Sequence, residues 1–252
     1  MKIRYSALLP ALLLSLTAVI AEGQPGHSIT ITSETAAENK IRLAYHVGNQ
    51  QYVKDSLVTD KTGKGRFYGS EKLNPGVYMI VFHDNRFFEF LLGEDQHFDV
   101  RFDITNPVES LVFTGSEENS RFVAYQKKWK TLQEEAMKIS TRLNGVQQGS
   151  PESMAVRKEL AEQEEKMKQF LRETADANKG TLLGAIARSV IPVETPSPNV
   201  PPGTHNPDSV GRLRSYLYYK DHFFDNIDFS EAGLIRSPVL GGRLEQFFSQ
   251  VV

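Results

Sequence analysis

Histidine is the residue type in this chain best suited to proton transfer or metal binding near neutral pH. The 252 residues include six histidines and no cysteine, which excludes disulfides, thiol nucleophiles and thiolate metal sites. The histidines are scattered singly, and none pairs with another at a metal-ligand spacing. The six are His27, His46, His83, His97, His205 and His222. We therefore predict no catalytic residue, no metal ion and no cofactor.

Other sequence motifs of catalysis are also missing. The chain has no glycine-rich nucleotide fingerprint, no phosphate loop, no His-Glu-x-x-His and no Gly-x-Ser-x-Gly. Gly115 and Ser116 resemble a nucleophile turn, but the two glutamates that follow indicate a helix start capped by Ser116. We predict that the protein is not an enzyme. An alternative hypothesis is a hydrolase or metal protein in which the histidines converge with Asp84, Glu89 or Asp99.

Residues 216–229 carry the densest group of aromatic and polar side chains. They include six aromatic residues, one histidine and three aspartates. One interpretation is an aromatic plug between the last helices, followed by a turn at 225–228 and a cap at Ser230. The other is a binding surface, since aromatic rings with polar tips are common at interfaces. The candidate contact residues are Tyr219, His222, Phe223, Phe224 and Asp225.

The first half of the chain has the hydrophobic pattern of β-strands. From residue 28 to residue 115 the apolar residues recur with a period of two, as in Phe98, Val100 and Phe102. Turn residues such as Gly48 and Asn49 separate the runs. The connections are too short for crossover helices, so seven or eight strands should form an antiparallel β-sandwich over residues 22–115.

The second half is predicted to be helical, which makes the fold class α+β. Seven apolar residues follow the 3/4 spacing of one helix face: Phe122, Tyr125, Trp129, Leu132, Ala136, Ile139 and Leu143. A second helix begins after Ser150 and pairs with the first as a hairpin. Further helices are expected at 182–190, from a cap at Asp208 to Phe224, and at 238–252. We interpret the proline-rich segment 192–207 as a solvated loop, with a ligand for a partner as the alternative.

The first 21 residues are typical of a signal peptide. Lys2 and Arg4 precede an apolar run from Ala7 to Ile20, and small residues lead to a predicted cleavage after Ala21. The run is too short to span a bilayer, so no stable membrane span is expected after cleavage. The protein should be periplasmic or secreted. Its formal net charge of −2 predicts no nucleic-acid partner.

Three stretches carry a resemblance to a known family. They are the link 112–119 with Phe122 after it, the segment 219–229, and the run 236–240. In their order they resemble the N-terminal part of TlpA/ResA-type thioredoxin-like envelope oxidoreductases. The resemblance implies a β module and a helical module of unknown function that precede a thioredoxin-like domain. The family's Cys-x-x-Cys motif belongs to that domain, and this chain has neither, so no catalytic residue is carried over.

Two functional hypotheses follow from this resemblance. The first is a non-catalytic periplasmic binding or interaction module, whose partner would be an envelope redox protein. The second is a truncated or incomplete thiol–disulfide oxidoreductase, whose thioredoxin-like domain is missing from this chain. The apolar stretch 244–252, which has no helix cap, is consistent with a truncated chain or with an edge that docks on another protein.

Overall fold

The computed structural model describes residues 26–252, so the predicted signal peptide lies outside the described residues. The fold is α+β, as predicted, with two four-stranded sheets followed by helices. The strands are β1 (His27–Thr32), β2 (Lys40–Val47), β3 (Gln50–Val58), β4 (Lys64–Gly69), β5 (Gly76–Val81), β6 (Phe87–Leu92), β7 (His97–Arg101) and β8 (Val112–Thr114).

The two sheets have the strand orders β4-β1-β7-β8 and β3-β2-β5-β6. All pairs are antiparallel except β1 with β7, which run parallel. The antiparallel sandwich predicted from the sequence is therefore confirmed except at this one parallel pair. Short connections force antiparallel pairing only between strands that are consecutive in the chain. β1 and β7 are separated by five other strands, so no short connection constrains their relative direction.

The core of the sandwich lies between the inner faces of the two sheets. The alternating apolar residues provide it: Ile29 and Ile31 of β1 are fully buried, and so is Phe90 of β6. The ring of Phe90 meets that of Phe98 edge-on, with the centroids 5.8 Å apart. This is a favourable geometry for aromatic pairs. The apolar residues that recur with a period of two in the sequence are therefore those on the buried faces of the sheets.

The described chain has six helices, the first of which lies between β7 and β8. They are α1 (Pro107–Ser110), α2 (Glu117–Asn144), α3 (Pro151–Ala177), α4 (Leu182–Ser189), α5 (Pro207–His222) and α6 (Pro238–Gln246), with 3-10 turns at Glu34–Ala36 and Ala232–Arg236 and a π turn at Phe247–Val251. The hairpin of α2 and α3 forms as predicted. Ser116 caps α2 and Ser150 caps α3, each accepting a backbone N–H with its hydroxyl oxygen. None of the helices in residues 26–252 is long and apolar enough to span a bilayer.

Two predicted helix caps are wrong. Asp208 lies in the first turn of α5, which begins at Pro207 after Asn206 in the left-handed conformation (φ 54°). Proline is favoured at the first helical position because its missing N–H has no partner there anyway. Ser230 donates its backbone N–H to Asp228, and Glu231 caps the following turn by accepting from Gly233 N at 2.9 Å. A single helix was expected over 238–252. It is α-helical as far as Gln246, and the residues after it form the π turn.

The helices pack on the outer face of the second sheet. Val77 of β5 and Leu91 of β6 are buried in one cluster with Phe122, Leu183 and Leu234. The first two residues lie on the face of the sheet opposite the sandwich core, since neighbouring residues in a strand point to opposite faces. The second sheet therefore contributes to two cores. Its outer face positions α4, the turn at Ala232–Arg236 and the C-terminal residues around them.

Candidate functional site

The aromatic segment predicted from the sequence forms the centre of what we call the C-terminal aromatic cluster. The rings come from the end of α5, the loop after it and the π turn. They are Tyr219, Phe223, Phe224, Phe229, Phe247 and Phe248. Centroid distances between neighbouring rings run from 4.8 Å for Phe224–Phe247 to 5.8 Å for Phe224–Phe229. Contacts at these distances join the rings into one continuous unit.

The centre of the cluster is buried. Phe223 is 0% exposed, so its ring packs inside the protein and does not contribute to the surface. Among the other candidate contact residues, Tyr219, His222 and Phe224 are half-buried and Asp225 is exposed. Phe223 therefore acts as the aromatic plug that one interpretation of this segment predicted. The remaining four candidates have side chains that reach the surface.

The two ends of the cluster are exposed. Phe229 is 63% exposed and Phe248 is 70% exposed, although each ring touches a neighbour inside the cluster. Exposed aromatic rings that are held in place by a packed interior have little side-chain entropy to lose on binding. The cluster thus presents two anchored aromatic surfaces.

A polar pair lies beside the rings. His222 Nδ1 is 2.5 Å from Asp225 Oδ2, and the imidazole stacks on Tyr218 with the centroids 4.1 Å apart. The carboxylate fixes the orientation of the imidazole, as it does in many sites where histidine acts on a partner. Both side chains remain accessible to solvent. They give the aromatic surface a polar rim.

Arg243 of α6 is a part of the cluster that sequence reasoning missed. Its guanidinium carbon lies 4.1 Å from the centroid of the Phe223 ring, and Nη2 donates to the Phe223 carbonyl at 3.0 Å. Nε is buried without a hydrogen-bond partner in the described part of the chain. Burial lowers the pKa of this guanidinium below its ordinary value. No sequence pattern connects Arg243 with Phe223, because only folding brings α6 to the end of α5.

A second candidate region is a polar cleft of about 690 Å³ between the sheets and the helices. Its wall includes the first turns of α2 and α4. Glu118 Oε1 accepts from the backbone N–H of Leu183 at 3.0 Å, so a carboxylate of this chain already occupies the N-terminus of α4. Lys72 is paired with Glu94 at 3.1 Å. Glu118 thus connects α2 with α4, and the pair of Lys72 with Glu94 lies within the β module.

The structure brings one histidine to a carboxylate that the sequence had suggested. His46 Nε2 lies 2.9 Å from Glu89 Oε1, and the His46 side chain is buried on the outer face of the second sheet. His83 lies exposed in the turn between β5 and β6. Across residues 26–252, no group of three or more His, Cys, Asp or Glu side chains could hold a metal ion.

No protein-family model matches this chain, and no curated protein is significantly similar to it. The resemblance to the N-terminal part of TlpA/ResA-type proteins therefore stays a prediction that rests on residues 112–119 with Phe122, on 219–229 and on 236–240.

Proposed function

We propose that this protein is a non-catalytic binding module of the cell envelope that holds a protein partner at the C-terminal aromatic cluster. The supporting observation is the continuous line of ring contacts between two exposed ends, Phe229 and Phe248. Binding energy at protein interfaces is concentrated in a few aromatic anchors that fill pockets of the partner. Phe229 and Phe248 would be those anchors.

The polar groups around the rings suit the rim of such an interface. Asp225 is exposed and His222 is half-buried, and together they offer a hydrogen-bonding pair beside the apolar surface. Interfaces commonly surround an apolar centre with polar groups of this kind. Arg243 would stabilise the ring beneath them by its cation–π contact with Phe223.

The class of partner that we propose is an envelope redox protein. This part of the proposal follows from the resemblance, in which modules of this layout precede a thioredoxin-like domain. A chain without cysteine can contribute to thiol–disulfide chemistry only by positioning a protein that supplies the thiols. The periplasmic location belongs to the same proposal.

Site-specific cross-linking tests the proposed interface. A photoreactive phenylalanine analogue is placed at position 229, and at Met137 of α2 as the control, since Met137 is 73% exposed and lies outside the cluster. In intact cells we expect one defined protein adduct from position 229 and none from position 137. Equal adducts at both positions, or none at 229, would contradict the proposal. Mass spectrometry of the adduct shows whether the partner contains a Cys-x-x-Cys motif.

A further inference from the structure

β3 is an edge strand whose outer side is open. It lies at one end of the sheet order β3-β2-β5-β6, and every residue of the strand except Leu57 is exposed. Among residues 26–252, no second strand pairs with that side. Ser56 N is occupied there only locally, since it donates to Asp55 Oδ1 at 2.7 Å. The row of main-chain groups along an open edge is a template for pairing with another strand.

The pairing with β2 decides which residues of β3 point their main-chain groups to the open side. In an antiparallel pair, hydrogen-bonded residue pairs alternate with non-bonded ones. The two-residue turn between the strands closes on the bonded pair of Val47 with Gln50. At the other end, Thr59 N donates to Asn39 O at 3.0 Å. Counting inward from both ends leaves four residues of β3 whose groups point outward: Gln51, Val53, Ser56 and Val58.

A β-bulge gives these four residues an uneven spacing. Val53 lies opposite Ala44, whereas Asp55 lies opposite the preceding residue of β2, Leu43. Lys54 is thus an extra residue in β3, and the outward residues are two, three and two positions apart. A regular strand presents its outward groups every two residues, so it would match only one side of the bulge. The bulge therefore excludes most partner strands, as bulges at sheet edges commonly do.

A second copy of β3 fits this spacing, because two, three and two is the same in both directions. The second copy would run antiparallel, with a two-fold axis between Lys54 and Asp55. Gln51 then lies opposite Val58 of the second copy, and Val53 lies opposite Ser56. The two bulges meet at the axis, and on both sides of it each outward residue faces another outward residue. A two-fold interface requires a self-complementary surface of this kind.

The charges select the same register. Lys54 of each copy lies opposite Asp55 of the other, and opposite charges across a strand pair are favourable. Lys54 forms no ion pair with any residue in the described part of the chain. An axis through Lys54 or through Asp55 would instead place like charges opposite each other, which is destabilising. The pairing would also cover apolar side chains, since Val53 is 58% exposed and Val58 is 65% exposed.

We propose that this protein forms a symmetric dimer through β3, which joins the sheets β3-β2-β5-β6 of two copies into one sheet of eight strands. This inference goes beyond the proposed function. The dimer would carry two C-terminal aromatic clusters, one on each copy. A partner held at both would be bound with an avidity that a monomer cannot provide.

The absence of cysteine allows spin labels at single introduced cysteines in the full chain. Gln51→Cys and Val58→Cys are labelled in separate samples, since both positions are exposed and lie symmetrically about the proposed axis. Like labels are then seven residues apart along the strand direction. At about 3.3 Å per residue, pulsed dipolar spectroscopy should give about 20–25 Å at both positions. An axis moved by one residue would lengthen one distance and shorten the other by about 7 Å.

Charge exchange tests the pairs at the axis. Lys54→Glu makes both attractive pairs repulsive, so the dissociation constant of the dimer should rise at least about tenfold in sedimentation equilibrium. Adding Asp55→Lys to this variant exchanges the two charges and should restore most of the affinity. Lys128→Glu is the matched control, because it makes the same change of net charge at an exposed position of α2.

A protein that stays monomeric at every concentration would overturn the proposal, and so would unequal distances at positions 51 and 58. Equal dissociation constants for Lys54→Glu and Lys128→Glu, or no recovery in the exchanged variant, would also contradict it. None of these measurements involves the aromatic cluster. Cross-linking from position 229 is read out separately, so either proposal can fail without the other.

Discussion

The side-chain amide of Asn119 pairs with both main-chain groups of Leu91. Its Oδ1 accepts from Leu91 N at 2.7 Å, and its Nδ2 donates to Leu91 O at 2.8 Å. β6 lies at the edge of its sheet, so its outward N–H and C=O groups need partners from outside the sheet. Nδ2 also donates to Ser116 Oγ at 3.0 Å, which caps α2. Asn119 therefore closes the sheet edge and joins it to the first long helix.

Replacing Asn119 by alanine should destabilise the protein strongly. The change leaves a buried N–H and a buried C=O of Leu91 without partners, and each such group costs about 1–3 kcal/mol. We expect a loss of about 2–4 kcal/mol in the free energy of unfolding, measured by urea denaturation. Asn144→Ala, at the exposed end of α2, is the control and should change little. Equal stability of the two variants would show that the amide pair contributes nothing.

Two adjacent glycines of α6 should respond oppositely to alanine. A side chain at Gly241 would lie 2.7 Å from Gly48 Cα, whereas nothing lies within 4 Å of a side chain at Gly242. Gly242→Ala should therefore raise the free energy of unfolding by about 0.5–1 kcal/mol, since alanine favours a helix interior. Gly241→Ala should lower it, because the helix must move off the turn that joins β2 and β3. Thermal denaturation of both variants measures the difference, and a stabilising Gly241→Ala would contradict the close contact.

Tyr78 and Tyr125 should ionise later than an ordinary tyrosine. Burial raises the pKa of each phenol to about 12. Because the folded-state pKa exceeds the unfolded value, the neutral phenols stabilise the fold below about pH 10, and this contribution is lost as the pH rises toward 12. Absorbance titration at alkaline pH should show a late step, and Tyr78→Phe should reduce its amplitude. An unchanged late step would contradict the assignment to Tyr78.

The Asp103 carboxylate should make the free energy of unfolding decrease at low pH. Its Oδ1 accepts from Thr105 N at 2.8 Å, from Thr105 Oγ1 at 2.7 Å and from Thr35 Oγ1 at 3.0 Å. The hydrogen bonds from Thr105 are the main reason that the pKa of this carboxyl lies below its ordinary value. The ionised form therefore stabilises the fold above about pH 4, and this effect is lost as the pH falls through the lower folded-state pKa.

Asp103→Asn should accordingly be less stable than the natural protein at pH 7, with the difference shrinking below about pH 3. Urea denaturation at the two pH values measures this. Asp99→Asn, an exposed carboxylate on β7, is the control for a general charge effect. A difference between Asp103→Asn and the natural protein that is the same at both pH values would exclude the ionised carboxylate as its cause.

Local sequence patterns determined the elements of this protein. The period of two predicted the strands, and the 3/4 spacing predicted α2. Ser116 was correctly identified as the cap of α2, and the start of α3 after Ser150 was also predicted correctly. These features are readable because a strand alternates its faces and a helix repeats its face within a few residues. Asp208 was wrongly predicted as a helix cap because Pro207 already begins the helix. Ser230 was wrongly predicted as a cap because its hydroxyl group donates to Asp228 in the preceding turn.

The relationships between distant residues were decided only by the tertiary structure. The parallel pairing of β1 with β7, the amide pair of Asn119 with Leu91 and the position of Arg243 on the Phe223 ring have no local signal. Each depends on which surfaces meet when the sheets and helices pack, and that choice is made by burial summed over the whole chain. The sequence by itself therefore predicted that residues 216–229 form an aromatic group. Packing against α6 and the π turn decided that Phe223 is its interior and that Phe229 and Phe248 are its exposed ends.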